Sequence, residues 1–304
     1  MPFIGEAVAL ATVLCWTCSV QFFAAASRRV GSTSVNIIRL TTALVLFAIL
    51  LLLKDGAVVP LHFPEHAWFY LSLSGIVGFF FGDIFLFKAL VELGPRVAML
   101  VQSLAAPTAA LLGWLFLQES YLSHQWLGMA VALCGVAMVI LERGVKDSPV
   151  SQPQVRSVSA KGVLCGLAGM SGQAGGIVLS KIGMKTDTGY LDAFAATEIR
   201  AIAAFLCFIL FFTVTHRWRN VQTALADPKA VALTAMGAFF GPFLGVSLSL
   251  MALHYLTSGV ASTFFALVPI CIIPFSIYLD REHVSGRAVA GAVVAVGGVY
   301  LLSR

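Results

Sequence analysis

Two cysteines spaced three residues apart are the first candidates for chemistry in this sequence. Cys15 and Cys18 stand in VLCWTCSVQF (13–22), with Trp16 between them. In a soluble protein, a CxxC spacing indicates a redox dithiol or half of a zinc site. A tetrahedral zinc site needs further ligands, and the remaining cysteines include no second CxxC. The pair alone therefore predicts no metal site.

The charged candidates inside apolar stretches are Arg39, Asp83, Glu198 and Arg200. A charge in hydrocarbon costs about 2.5 to 3.5 kcal/mol on insertion scales, so each is a hypothesis for a functional site. Asp83, in FFFGDIFLF, has three open roles: a proton-coupling carboxylate, a contact for a substrate amine, or an ion pair with Lys88 or Arg39. Arg39 either reaches the cavity or extends its side chain to the headgroups.

Glu198 and Arg200 cannot neutralise each other, because an i,i+2 spacing places them on different faces of a helix. Each therefore needs a partner on another helix or on a substrate.

Neutral polar and aromatic residues extend the candidate site. Gln102 and Gln173 suit the orientation of a polar ligand, or equally a hydrogen bond between helices. Trp16 and the adjacent Phe264 and Phe265 suit the wall of an amphipathic substrate's pocket, and a lipid-facing or core role is open for the two phenylalanines.

The composition indicates the elements that must position these residues. Of 304 residues, 59% are hydrophobic and 11% charged, with a mean hydropathy of +0.94; soluble proteins carry about 25% charged residues. A helix needs about 20 apolar residues to cross a bilayer. Ten runs approach or reach this length: 4–26, 34–53, 67–90, 97–117, 124–141, 162–182, 191–215, 230–253, 260–279 and 287–302.

These runs are predicted to be helices, because alternating barrel strands of about ten residues are absent. The first run lacks a basic leader and an AxA-type cleavage site, so we expect a retained helix. The net charge of +5 forms no basic stripe, and nucleic acid is not an expected partner.

The sequence repeats itself. A polar linker (142–160) divides the runs five and five, which predicts domains at 1–141 and 161–304. An offset of 163 aligns the later helices of the two halves. Offsets of 157 for the first helices, and of 161 for Arg39 with Arg200, align the earlier ones. The pairs at 163 include Gly78 and Gly241, Gly82 and Gly245, Gly128 and Gly291, Gly135 and Gly298, and Glu119 and Glu282.

An odd number of crossings per half gives the halves opposite orientations in the membrane. The predicted fold is an all-α integral membrane protein with ten transmembrane helices as two inverted five-helix repeats. Transporters with this architecture bind substrate near the midplane, where the halves meet.

Several motifs along the whole chain resemble the EamA-type ten-helix permeases of the drug/metabolite transporter superfamily. They are Trp16, NIIRL (36–40), FKAL (87–90), SLAAPTAALLGWLFLQES (103–120) and its repeat FALVPICIIPFSIYLDRE (265–282). Thr17 and Ser120 depart from the family's pattern. The resemblance implies a multi-pass protein of the bacterial cytoplasmic (inner) membrane that exports or exchanges amino acids or similar metabolites.

Small residues and prolines mark candidate packing and hinge positions. Gly78, Gly82, Gly241 and Gly245 form GxxxG patterns that let helices approach closely. Prolines free backbone carbonyls or form hinges; they are Pro107 in the fourth run, and Pro269 and Pro274 in the ninth. Glu119 and Glu282 are interpreted as structural markers of helix ends.

The repeat also explains the CxxC spacing. The offset of 157 aligns Cys15 and Cys18 with Gly172 and Gly175, so the shared requirement is a small side chain at i and i+3. Packing is therefore favoured over thiol chemistry.

The sidedness of the chain stays open. Four basic residues lie on the side of the termini (Lys54, Lys181, Lys185, Arg304) and thirteen in loops on the other side. The positive-inside rule places the termini outside, whereas the family resemblance implies termini in the cytoplasm.

The leading hypothesis is a secondary transporter of small organic metabolites that works by alternating access, with Asp83 or Glu198 as a proton carrier. We expect no cofactor, no metal and no enzyme activity, since GxxxxGK[ST], GxSxG, HExxH and GxGD motifs are absent. Expected partners are a small-molecule substrate, the lipid bilayer and protons, with the chain a monomer or weak homo-oligomer. The alternatives are an intramembrane enzyme and a passive channel.

Overall fold

The structure, a computed structural model, describes residues 3–93, 98, 101–140, 160–187, 189–272 and 286–302. The predicted linker (142–160) lies outside the described residues except for Ala160, as do Pro274 and Glu282. Within the described part, the helices are joined by turns and short loops, and a two-residue antiparallel ladder pairs Lys185 with Tyr190 and Thr186 with Gly189.

The described helices of the first half, up to residue 140, match the predicted runs closely. They are α1 (Ile4–Val30), α2 (Ser32–Asp55), α3 (Glu65–Ser74), a π-helical segment π1 (Gly75–Gly82), α4 (Asp83–Leu93), α5 (Ala105–Leu117) and α6 (Ser123–Ile140).

The second half, from residue 160, repeats this order. It comprises α7 (Ala160–Met184), β1 (Lys185–Thr186), β2 (Gly189–Tyr190), α8 (Ala193–Val214), α9 (Trp218–Leu225), α10 (Pro228–Ala238), the π-helical segment π2 (Phe239–Gly245), α11 (Val246–Ala252), α12 (Ser258–Phe265) and α13 (Gly286–Leu302).

Length and composition allow six described helices to cross a membrane, and four shorter apolar helices accompany them. The long helices are Ile4–Val30, Thr33–Asp55, Glu65–Leu86, Ala160–Met184, Ala193–Val214 and Pro228–Ala252. The shorter ones are Val101–Leu117, Ser123–Val139, Ser258–Ile272 and Val289–Leu302. The prediction of an all-α membrane protein is confirmed.

Local chemistry fixes several helix ends. Asp192 caps α8 by accepting hydrogen bonds from the backbone N–H groups of Phe194 and Ala195. Asp227 caps α10 in the same way, with Pro228 following it at the first helical position. Gly56 ends α2 in a left-handed conformation (φ 68°), which glycine adopts without a Cβ penalty.

Two π-helical segments occupy equivalent places in the halves. The sequence predicts one continuous helix over 67–90 and another over 230–253, but each contains wide π-helical turns. With the offset of 163, π1 (Gly75–Gly82) corresponds to residues 238–245, and π2 spans Phe239–Gly245. Such turns are rare and occur often at functional sites.

Each π segment packs on the first helix of the other half. A Cβ added to Gly78 would lie 3.4 Å from Gly176 Cα in α7, and a Cβ on Gly241 would meet the hydroxyl of Ser19 in α1. The offset of 157 relates Gly176 to Ser19, so the two contacts are equivalent. Each half therefore contacts the first helix of the other half through its π segment.

The fourth and ninth runs break at equivalent residues. The backbone N–H of Leu104 donates to Val101 over 3.1 Å, and that of Leu267 donates to Phe264 over 2.9 Å. These bonds span three residues instead of four and lie 163 residues apart. Pro107 and Pro269 follow the two turns, and a proline supplies no N–H to a preceding helical turn.

The last helices of the two halves form a close pair. A Cβ on Gly128 would lie 2.9 Å from the Gly298 carbonyl oxygen, and a Cβ on Gly135 would lie 2.6 Å from the Gly291 carbonyl oxygen. Since the offset relates Gly128 to Gly291 and Gly135 to Gly298, this α6–α13 contact follows the repeat symmetry.

Candidate functional site

A cavity of about 310 Å³ lies between the two halves. Its wall contains six of the eight residues predicted to bind substrate, together with Gly241 and Pro269 from the predicted hinge set. The six residues are Trp16, Arg39, Asp83, Gln102, Gln173 and Arg200.

The other two predicted binding residues lie elsewhere. Phe264 is 1% exposed and packs in a hydrophobic cluster, whereas its neighbour Phe265 lines the cavity. Glu198 is buried in α8 outside the described cavity wall, and its Oε2 has no hydrogen-bond partner among the described residues.

Arg39, Asp83 and Gln173 form one connected polar group on the wall. Arg39 Nη2 donates to Asp83 Oδ2 in an ion pair between α2 and α4. Gln173 Nε2, from α7, donates to Asp83 Oδ1 over 3.2 Å and to the Gly78 carbonyl oxygen over 3.3 Å. The Arg39 ion pair that the sequence left open is therefore formed, and it joins both halves through Gln173.

Arg200 lies on the same wall without such a partner. Its side chain is buried, with 4% exposure, and its guanidinium carbon lies 4.6 Å from the Phe79 ring centroid. The described residues form no ion pair or hydrogen bond with this guanidinium, and its Nε is buried without an acceptor. Gly78 lies beside the guanidinium, since a Cβ built there would make an ordinary contact of 3.5 Å with Arg200 Nη2.

The repeat accounts for this difference between the two arginines. Arg39 and Arg200 are equivalent, and Arg39 pairs with Asp83. With the offset of 163, the residue equivalent to Asp83 is Val246, which also lines the cavity. The second half therefore keeps the arginine but not the carboxylate.

Two neutral groups on the wall lack partners within the described part of the chain. They are Gln102 Oε1, which can only accept a hydrogen bond, and Ser262 Oγ, which can donate or accept.

Trp16 and Gln173 occupy equivalent positions in the two halves, since the offset of 157 relates them. Its ring packs edge-on to Phe265, with 5.1 Å between centroids, and touches π2, where a Cβ on Gly245 would overlap the indole. Gln173 holds the equivalent place against Gly82, 3.2 Å from a Cβ built there. An aromatic and an amide thus occupy matched positions on the two sides of the cavity.

The neighbours of Trp16 show how far the small-residue interpretation of the CxxC pair holds. A Cβ on Gly172, the equivalent of Cys15, would lie 2.8 Å from the Val77 carbonyl oxygen; on Gly175 it would lie 3.6 Å from Val77 Cγ1. Close packing is therefore found at Gly172 but not at Gly175. Cys15 and Cys18 are partly buried free thiols, and the described residues hold no group of three potential metal ligands.

Glu119 is a functional candidate that sequence reasoning interpreted only as a helix-end marker. Its Oε1 lies 2.7 Å from Lys181 Nζ, and the pair is less than 10% exposed. The other carboxylate oxygen, Oε2, accepts hydrogen bonds from the backbone N–H of Ser258 (2.9 Å) and from the Tyr121 hydroxyl (2.6 Å). The carboxylate thereby ties α5 to α7 and to the start of α12, and we name Glu119, Tyr121, Lys181 and Ser258 the Glu119 cluster.

The cluster's hydrogen bonds leave few groups unsatisfied. Lys181 Nζ also donates to the Leu256 carbonyl oxygen over 2.6 Å. Burial, followed by the bond to Glu119, raises the pKa of Tyr121 above its ordinary value, so the phenol remains a donor. Lys181 is one of the four basic residues assigned to the side of the termini, and its ammonium is buried in the ion pair with Glu119.

The cavity and the Glu119 cluster lie toward different ends of the bundle. A Cβ on Gly5, near the start of α1, would lie 2.8 Å from Leu256, which places the cluster at the N-terminal end. Phe23 and Arg39 line the cavity from the parts of α1 and α2 nearer Gly31, at the opposite end. The bundle is thus tied at the end where α1 begins.

Comparison with known proteins agrees with this architecture. A crystal structure described only as "Crystal structure of protein" superposes with a TM-score of 0.71 over 99% of this chain and 96% of that chain, at 17% identity, which concerns the fold alone. No curated protein matches the sequence. The model of the EamA-like transporter family matches twice, at residues 3–141 and 160–304. The chain therefore belongs to the EamA-like transporter family, a family of drug/metabolite-type transporters of small molecules, with two copies of the family's repeat in one multi-pass membrane protein.

Proposed function

We propose that this protein is a secondary transporter that exports or exchanges small organic metabolites such as amino acids, with the central cavity as its substrate site. The observation that carries the proposal is a cavity built from both halves, whose wall holds buried polar groups that have no partner among the described residues. Buried polar groups cost free energy unless they are hydrogen-bonded, so a polar ligand is the natural occupant.

Alternating access between two inverted repeats is the proposed mechanism. Six long and four shorter apolar helices support ten crossings, and five crossings per half invert the second half. In each half, the π segment packs on the first helix of the other half: π1 on α7 and π2 on α1. These symmetric contacts between the halves support a rocking motion of one half against the other. The domain bounds 1–141 and 161–304 and the linker between them belong to this proposal.

In this scheme the Glu119 cluster holds the N-terminal end closed. Opening that end requires α5, α7 and the start of α12 to separate, which breaks the ion pair between Glu119 and Lys181. At the opposite end the residue equivalent to Lys181, with the offset of 157, is Ala24. This difference supports a conformation in which the cavity faces the end at Gly31.

Asp83 is the proposed proton carrier. Its carboxylate lies on the cavity wall between Arg39 and Gln173, so protonation would break the ion pair that joins α2 to α4. Glu198 is the second candidate, supported by a carboxylate oxygen without a partner among the described residues. Gly78, Gly82, Gly241, Gly245, Pro107 and Pro269 are the proposed packing and hinge positions.

Two other functions remain as competitors. An intramembrane enzyme would show product turnover without vectorial transport, and a passive channel would show flux that does not saturate. We place the protein in the bacterial inner membrane as a monomer or weak homo-oligomer, without cofactor or nucleic acid.

Counterflow in proteoliposomes tests the proposal. Vesicles are preloaded with unlabelled compound, and uptake of the labelled compound is followed for a panel of amino acids, amines, nucleosides and organic acids. We expect saturable exchange of at least one class, and no exchange in vesicles without protein. Flux that rises linearly with concentration for every compound, or no protein-dependent flux at all, would contradict a carrier.

A further inference from the structure

The charges on the cavity wall do not balance. The described lining residues contribute two guanidinium groups, from Arg39 and Arg200, and one carboxylate, from Asp83. Asp83 bonds to Arg39 and Gln173, and the site of a second carboxylate is occupied by Val246. The described part of the cavity wall therefore carries one more guanidinium than carboxylate, and Arg200 is the arginine without a bonded carboxylate.

A buried arginine without an anion is costly, since an uncompensated buried charge destabilises a protein strongly. Phe79 lies 4.6 Å from the Arg200 guanidinium carbon, Gly78 lies beside its Nη2, and Arg200 lines the cavity. The planar fork of arginine donors matches the two oxygens of a carboxylate. The arrangement thus fits one carboxylate group that reaches Arg200 from the cavity.

The rest of the wall defines the remainder of the ligand. Phe23, Phe79 and Phe265 supply aromatic surface, and Ile177 and Leu86 add aliphatic surface. Gln102 Oε1 needs a donor, which a hydroxyl or amide N–H supplies without adding charge. The described wall offers no carboxylate for a substrate ammonium apart from Asp83, whose oxygens already accept from Arg39 and Gln173.

We propose that the substrates of this transporter are small organic monoanions with an apolar body and a neutral hydrogen-bond donor, held by Arg200 through their carboxylate. Hydroxy acids and N-acyl amino acids have this chemistry, whereas free amino acids carry an additional ammonium. The inference rests on the proposed function; among the small organic metabolites named there it selects monoanions, and so replaces free amino acids with hydroxy acids and N-acyl amino acids.

Four compounds with one aromatic body test the inference on the wild-type protein: 3-phenyllactate (anion), phenylalanine (zwitterion), 3-phenyllactamide (neutral) and phenethylamine (cation). We expect 3-phenyllactate to exchange in counterflow at least about tenfold faster than the other three, as the loss of a charge-assisted hydrogen bond predicts. It should also raise the thermal midpoint of the detergent-solubilised protein more than they do. Exchange of phenylalanine or phenethylamine at an equal or higher rate would overturn the inference and leave a carrier intact.

A single substitution isolates the role of the missing carboxylate. Val246→Asp places a carboxylate at the position equivalent to Asp83, and the repeat leads us to expect that it pairs with Arg200 as Asp83 pairs with Arg39. We expect 3-phenyllactate exchange by Val246→Asp to be at least about tenfold slower than exchange by Val246→Asn, which makes a wall substitution of the same size without the charge. Equal exchange by the two variants would contradict anion binding at Arg200.

Two further measurements test whether the positive charge of residue 200 is required and whether its ligand is an organic anion. Arg200→Lys, which keeps the charge, should retain more 3-phenyllactate exchange than Arg200→Gln. The second measurement is the thermal midpoint of the solubilised protein in sodium chloride, with sodium sulfate as the salt control. A rise in chloride equal to the rise with 3-phenyllactate would assign the site to an inorganic ion and overturn the organic class. No exchange of any compound in the broader panel would instead refute the proposed function itself.

Discussion

Glu119 and Lys181 form a buried ion pair, with 2.7 Å between Oε1 and Nζ, that joins α5 of the first half to α7 of the second. Removing one member of such a pair leaves an unpaired charge in a low-dielectric site, which costs about 3 to 5 kcal/mol. Removing both leaves no charge and can cost much less.

We therefore expect Lys181→Met to lower the thermal midpoint of the solubilised protein more than the double variant Glu119→Gln/Lys181→Met does. Glu119→Gln alone should be intermediate, because the amide oxygen can still accept from Ser258 but no longer balances Lys181. The exposed pair of Lys54 and Asp192 is the matched control, and Lys54→Met should shift the midpoint little. Additive effects of the two cluster substitutions would show that the pair is not coupled.

Proton coupling through Asp83 predicts a separation of two activities. Counterflow exchanges substrate without net proton movement, whereas accumulation driven by a pH gradient requires a group that binds and releases the proton. We expect Asp83→Asn to lose gradient-driven accumulation and to retain measurable counterflow. Glu198→Gln is the parallel variant, and wild-type accumulation in both single variants would exclude these carboxylates as proton carriers.

Much of the fold was predictable from the sequence. The lengths of the apolar runs indicate helices that cross hydrocarbon, and the constant repeat offsets indicate two equivalent halves. The predicted runs 4–26 and 162–182 match α1 and α7 to within a few residues. The π-helical turns were not predictable, since Gly78 and Gly82 suit close packing in either helix type.

The candidate site was predicted in part for a similar reason. Charged residues in apolar runs stand out, so Arg39, Asp83 and Arg200 were found. Glu119 and Lys181 stand near the ends of their runs, where charges are ordinary, and only the three-dimensional structure shows that they are buried together. Phe264 and Phe265 are adjacent, and the choice between core and cavity depends on helix rotation that no repeat offset determines.

The contact between α7 and π1 predicts opposite effects for two similar substitutions. A Cβ on Gly172 would lie 2.8 Å from the Val77 carbonyl oxygen and 2.9 Å from Gly82 Cα, and backbone atoms cannot move aside cheaply. On Gly175 it would lie 3.6 Å from a side-chain methyl, an ordinary contact.

We expect Gly172→Ala to lower the thermal midpoint, since overpacking costs about 1 to 3 kcal/mol. Gly175→Ala should leave it unchanged or raise it, because alanine favours the helix over glycine by about 0.5 to 1 kcal/mol. Equal loss of stability in the two variants would mean that α7 packs more uniformly than the distances indicate.

Substitutions of Trp16 and of its two neighbouring cysteines distinguish a role of the cavity wall from a role of the thiols. Trp16 lines the cavity, packs on Phe265 and contacts π2 at Gly245, so its truncation removes both a substrate surface and a contact between the halves. Cys15 and Cys18 are free, partly buried thiols that take part in no disulfide. We expect Trp16→Ala to abolish counterflow and Trp16→Phe to retain part of it, while Cys15→Ser/Cys18→Ser exchanges substrate at the wild-type rate. Midpoints measured on the same preparations distinguish loss of the site from loss of the fold, and inactivity of the double serine variant in a folded protein would restore a role for the thiols.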